Sequence, residues 1–134
     1  MIHNISIRAF IAGSAFPVII FPMLYLGIPS VLYPDADFNF FTHILSIPIL
    51  VGLINIMFVN LKQYLPSGTT KYWLWGAGHG LVFTLIGNFS SKIPTELFML
   101  DRPLAFITIP LAMILYSLIW RYVIRGINTM MDID

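Results

Sequence analysis

The chain has no cysteine. Disulfides, thiolate metal sites and thiol catalysis are excluded at once, and the redox compartment stays open. Charge is scarce as well. Asp, Glu, Lys and Arg make up 10% of 134 residues, against about 25% in ordinary soluble domains. The formal net charge of +1 provides no basic field to attract nucleic acid. There is no internal repeat and no low-complexity tract. What is present is apolar: 58% of residues are hydrophobic, and the mean hydropathy is +0.87. A short chain buries a limited share of its surface, so this surplus must face lipid or other chains.

The apolar residues fall into four long segments, at about 9–32, 38–61, 72–89 and 104–120. Each is near the ~20 residues that a helix needs to cross a bilayer. Turn-prone pieces rich in Pro, Gly, Ser and Asp separate them, and none of the four cores contains a charged residue. The sequence therefore predicts an all-α, polytopic membrane protein, a single domain of four transmembrane helices. The first segment is too long for the core of a cleavable signal and carries Pro17, Pro22 and Pro29, so it is read as a retained, kinked span. The connector SSKIPTELFMLDRP contains an apolar LFML stretch between polar ends. It predicts a short outer interfacial or re-entrant segment near 94–101.

Positive charge orients such a chain. With the N-terminus inside, Arg8, Lys62, Lys71, Arg121 and Arg125 collect on the inner side, and Lys92 and Arg102 remain outside. Trp73, Trp75, Trp120, Tyr64, Tyr72 and Tyr122 fall at the same inner interface, where amphipathic rings are expected. Both criteria place the N- and C-termini in the cytoplasm, and the expected location is the cytoplasmic (inner) membrane as a multi-pass protein.

The stretch WGAGHGLVFTLIGN at 75–88 places glycines where a helix in water prefers Ala or Leu. In water each would cost about 1 kcal/mol. In lipid, glycine allows two helices to approach closely, and Gly76-xxx-Gly80 has the small-xxx-small spacing of such contacts. On a helical wheel Gly76, Gly80 and Gly87 form one stripe, flanked by His79, Phe83, Thr84 and Asn88. Leu81, Val82, Leu85, Ile86 and Gly78 form the opposite, lipid-facing side. Ala105, Thr108, Ala112 and Tyr116 of the fourth segment offer a matching small-residue face. In the second segment Pro48, Gly52 and Asn55 lie on one side, with Asn39, His43 and Ser46 on another, which predicts a helix between neighbours. The first segment shows no clear face. A phosphate-loop reading of the glycines fails, because position 81 is Leu and no Gly-Lys-Ser/Thr follows.

Ionisable and amide side chains inside a span are functional candidates by default. They are His43, Asn55, His79, Thr84 and Asn88, joined by Glu96 and Asp101 of the outer connector as a lid or cation-attracting mouth. The competing reading is that the amides and histidines bond across helices. A haem shared by His43 and His79 is disfavoured, since the two lie at depths of about 8 Å and about 16 Å at 1.5 Å per residue. No ligand spacing suggests zinc, so neither cofactor nor metal is expected. No nucleophile-base arrangement or paired carboxylate is present.

Three functions follow as expectations. The first is an oligomeric transporter or channel, in which the glycine face joins copies of the chain. The second is a non-catalytic membrane subunit or assembly partner of a larger complex. The third is a membrane-embedded lipid- or quinone-acting enzyme using His43 with Glu96 or Asp101. The partners expected throughout are the bilayer and either further copies or other membrane subunits, with no nucleic acid. The topology is directly testable. Alkaline phosphatase fused after Asp134 is expected to be inactive and green fluorescent protein at the same position fluorescent; the opposite pattern would reverse the orientation.

Overall fold

A computed structural model describes the backbone of residues 4–27, 38–89 and 101–133, with side chains for 4–20, 46–89 and 101–133. The described residues are all-helical and contain no strand, and they form four helices. These are α1 (Ile5–Gly27), α2 (Phe38–Leu61), α3 (Thr70–Phe89) and α4 (Arg102–Met130). A 3-10 turn, Lys62–Tyr64, closes α2. The helices reproduce the apolar segments, with two differences. Helix α1 starts earlier and stays helical across Pro17 and Pro22. Helix α4 continues well past 120, through an additional wide π turn at Ile119–Ile124, where the Arg125 N–H reaches the Trp120 carbonyl. No proline interrupts residues 111–130, and Pro103 sits in its first turn, where a missing N–H removes no helical bond.

Two stretches are long and apolar enough to cross a membrane, Ser46–Tyr64 and Arg102–Met130. Only 22% and 17% of their most apolar windows are buried, whereas the core helix of a soluble protein is mostly buried. The described apolar part of α1, Ile5–Ile20, is shorter. Helix α3 is long enough but is diluted by glycine, His79 and Asn88. The expected outer segment near 94–101 lies, except for Asp101, outside the described residues.

The contacts divide the chain into two compact units. In the first, α1 packs on α2, and the C-terminal residues from Gly126 join them. The unassigned face of α1 proves to be its small one: Ala9, Ala12 and Gly13 are buried. A Cβ on Gly13 would stand 2.7 Å from the Val51 carbonyl oxygen, and one on Gly52 would stand 2.7 Å from the Phe10 ring. The Ser14 hydroxyl donates to the Pro48 carbonyl at 2.9 Å. The Pro48–Gly52–Asn55 side of α2 therefore faces α1.

In the second unit, Tyr64 to Arg125, α3 lies against α4. A Cβ on Gly76 would meet the Tyr116 carbonyl oxygen at 2.6 Å, and one on Gly80 the Ala112 carbonyl oxygen at 2.6 Å. Backbone meets backbone at both positions. Ala105 is buried beside this line, and Val82 and Ile86 on the far side of α3 are 53% and 55% exposed. Gly87 departs from the expected stripe, because a Cβ there would meet nothing within 4 Å among the described residues. Contact between the two helices nevertheless continues past it, because Asn88 Nδ2 donates to Thr108 Oγ1 at 3.2 Å. Gly76 and Gly80 are thus occupied by α4 of the same chain.

The glycines thus divide into two classes with opposite expected responses. Gly76→Ala and Gly80→Ala should each cost about 1–3 kcal/mol by overpacking. Gly78→Ala, which meets open space, should be neutral or stabilise by up to about 1 kcal/mol through helix propensity. Thermal unfolding in detergent reads both; equal losses at all three positions would refute the close approach.

Candidate functional site

The buried polar groups of each unit form one cluster. In the second unit the centre is His79, in the middle of α3 and 5% exposed. The indole of Trp120, fully buried in the wide turn of α4, donates its Nε1–H to His79 Nδ1 at 2.8 Å. A neutral imidazole whose Nδ1 accepts carries its proton on Nε2. That Nε2 is buried and has no hydrogen-bond partner among the described residues. Aromatic rings enclose the imidazole: Phe83 at 4.5 Å, Tyr116 at 4.7 Å and Trp120 at 5.8 Å between centroids. Phe83 follows His79 by four residues on α3, and Tyr116 precedes Trp120 by four on α4, so each helix contributes one face of the box.

The backbone approach at the glycines is what places these side chains together. Below His79, Ser117 donates to the Trp73 carbonyl at 3.0 Å and to its own Met113 carbonyl at 2.7 Å. Toward the far end of α3, Asn88 donates to the Thr84 carbonyl at 2.9 Å and to Thr108 Oγ1 at 3.2 Å. Thr84 itself bonds back to the Gly80 carbonyl, and Thr108 to the Ala105 carbonyl. Thr84, Asn88 and Thr108 therefore serve as bonds along and between helices.

The first unit has its own centre in Asn55, from α2, and Asn128, from the end of α4; both are fully buried. Asn55 Nδ2 donates to Asn128 Oδ1 at 2.8 Å and to the Ala9 carbonyl at 2.8 Å. Asn128 Nδ2 returns a bond to Asn55 Oδ1 at 3.1 Å. Sequence reasoning singled out Asn55 but not Asn128, because the expected span stopped at 120. The chain then turns sharply. Asp132 takes φ 58°, and the Ile133 and Asp132 N–H groups bond the Asn128 and Thr129 carbonyls at 3.0 and 3.1 Å. This is the double closure of a helix end by a left-handed residue. Two cations complete it: Arg8 donates to the Met131 carbonyl at 2.8 Å, and Lys62 to the Ile133 carbonyl at 2.6 Å. Both had been counted only as topology signals.

Of the remaining sequence candidates, Asp101 is exposed at the start of α4, with no side-chain cap bond. The His43 side chain and Glu96 lie outside the described residues. Comparison with protein-family models, curated proteins and solved structures found no match.

Trp120→Phe keeps the ring but strands His79 Nδ1, and is expected to cost about 1–3 kcal/mol. Asn55 and Asn128, mutated singly to Ala and then together, should show a coupling of at least about 0.5 kcal/mol, as groups sharing a hydrogen-bond network do. Strictly additive losses in thermal or denaturant unfolding would show that the amide pair is not formed.

Proposed function

We propose that this chain is a small integral membrane protein, crossing the inner membrane four times with both termini in the cytoplasm, and that it acts as a non-catalytic subunit of a membrane assembly. One observation carries the choice: side chains that might have lined a path are instead bonded within the chain. Asn55 is fully buried with its amide engaged, and Thr84 and Asn88 bond to α3 carbonyls and to Thr108. The outward surface is rich in apolar side chains. On α4 alone, Phe106, Ile107, Leu111, Ile114 and Leu115 are each more than half exposed. Such a surface suits lipid or the helices of other membrane chains, including further copies, and not a soluble docking partner.

A transporter or channel is the second reading. It is favoured by His79, whose buried Nε2–H lacks a partner among the described residues in the middle of a helix, where an unmet donor costs about 1–3 kcal/mol. The two readings separate experimentally. After gentle solubilisation, a subunit should elute with a stoichiometric membrane partner, and proteoliposomes of the purified chain should show no flux of ions or small solutes. Elution as a homo-oligomer with a flux that His79→Ala abolishes would reverse the assignment.

A further inference from the structure

We propose that the aromatic box around His79 binds the ring of a lipid-soluble quinone, with the His79 Nε2–H donating to one of its carbonyl oxygens. The inference names a ligand for the site described above and rests on the membrane reading. It starts from the tautomer. Trp120 donates its Nε1–H to His79 Nδ1 at 2.8 Å, so the lone pair on that side is taken and the ring proton sits on Nε2. That N–H is buried and makes no hydrogen bond among the described residues, in a side chain that is 5% exposed. A protonated nitrogen offers no lone pair to a metal ion and repels a cation. The group that completes the site is therefore a hydrogen-bond acceptor.

The walls restrict which acceptor. Phe83 at 4.5 Å, Tyr116 at 4.7 Å and Trp120 at 5.8 Å from the imidazole carry no charge. A carboxylate or phosphate brought among them would be buried without a counter-ion, which an isolated anion does not tolerate. A neutral carbonyl meets the donor without that cost. Three rings grouped around one imidazole also offer faces and edges to a flat conjugated ring.

Depth narrows the choice further. His79 is the tenth of the 20 residues of α3, about 15 Å of helix from either end at 1.5 Å per residue. The ester carbonyls of phospholipids lie at the interface, half of the ~30 Å hydrocarbon thickness away. A quinone dissolves in the hydrocarbon and brings its carbonyls with it. Phe83 and Tyr116 are only half-buried, and their chain neighbours Val82 and Leu115 are each 53% exposed. Rotation of either ring opens the box toward lipid, where an isoprenoid tail meets aliphatic side chains and not water. Trp120, which sets the tautomer, sits in the wide turn Ile119–Ile124, and wide turns of this kind recur at functional sites.

Menadione and methylnaphthalene test this on the full-length, detergent-purified chain, because the second has the same carbon skeleton without the two carbonyls. The absence of cysteine leaves no thiol for the quinone to alkylate. Menadione should bind about tenfold more tightly in equilibrium dialysis, the contribution of one hydrogen bond, and excess phosphatidylcholine should not displace it. His79→Phe, shown by circular dichroism to be folded, should bind both probes equally. A second measurement leaves the box intact. His3→Gln combined with His43→Gln leaves His79 as the last of the three histidines. The imidazole NMR spectrum of that chain should show a proton on Nε2 that moves downfield with menadione and not with methylnaphthalene. Equal affinities, displacement by phosphatidylcholine, a preference that persists in folded His79→Phe, or an Nε2–H resonance unmoved at saturating menadione would overturn the proposal. A chain that stays in the aqueous fraction without detergent would instead refute the membrane reading, a result distinct from any comparison of the two probes.

Discussion

The constraint on which this structure depends is that its polar groups must be satisfied without water. A buried amide, hydroxyl or ring nitrogen can be met only by another part of the chain, and an unmet one is expensive in hydrocarbon. The molecule solves the problem by proximity. Asn55 and Asn128 exchange bonds with each other, and Asn55 also takes the Ala9 carbonyl. Ser117, Thr84 and Thr108 bond back to carbonyls of their own helices, as hydroxyls in apolar helices do. Each such bond is modest, about 0.6 kcal/mol on average in a membrane protein. Together they define which residues of two helices lie opposite each other, which uniform aliphatic packing would leave open.

Proximity in turn needs small residues, and here the sequence and the structure can be compared directly. The four helices and the close approach at Gly76 and Gly80 were legible, because hydrophobic run length and four-residue spacing are local signals. The opposing line on α4 was legible in part: Ala112 does receive Gly80, while Gly76 meets Tyr116 and Ser117. Gly87 shares the wheel stripe but meets nothing within 4 Å among the described residues, and at that level α3 and α4 are joined by Asn88 and Thr108 instead. The small face of α1 went unread for a different reason. Ala9, Ala12 and Gly13 lie within a run that is apolar all round, so no polar side marks them by contrast.

Asn128 and the wide turn were not legible because both depend on partners distant in sequence. Residues 121–130 include two arginines and two polar amide or hydroxyl side chains, which read as an interfacial tail. They continue as helix because Asn128 finds Asn55, and because Arg8 and Lys62 reach the carbonyls beyond it. Two of the five cations read from the sequence as topology signals, Arg8 and Lys62, are therefore structural donors. A count of Lys and Arg does not report this task.

The cations differ in what they touch. Arg8 and Lys62 are engaged with main-chain carbonyls, the strongest acceptors left at a helix end. Among the described residues Arg121 lies against the rings of Trp73 and Tyr122, which neutralise no charge. His79 poses a question on the apolar side of the same helix pair: its Nδ1 is answered by Trp120, and its Nε2 is not. Among the described residues, that unanswered donor inside an aromatic box is a place where chemistry from outside the chain has room to enter.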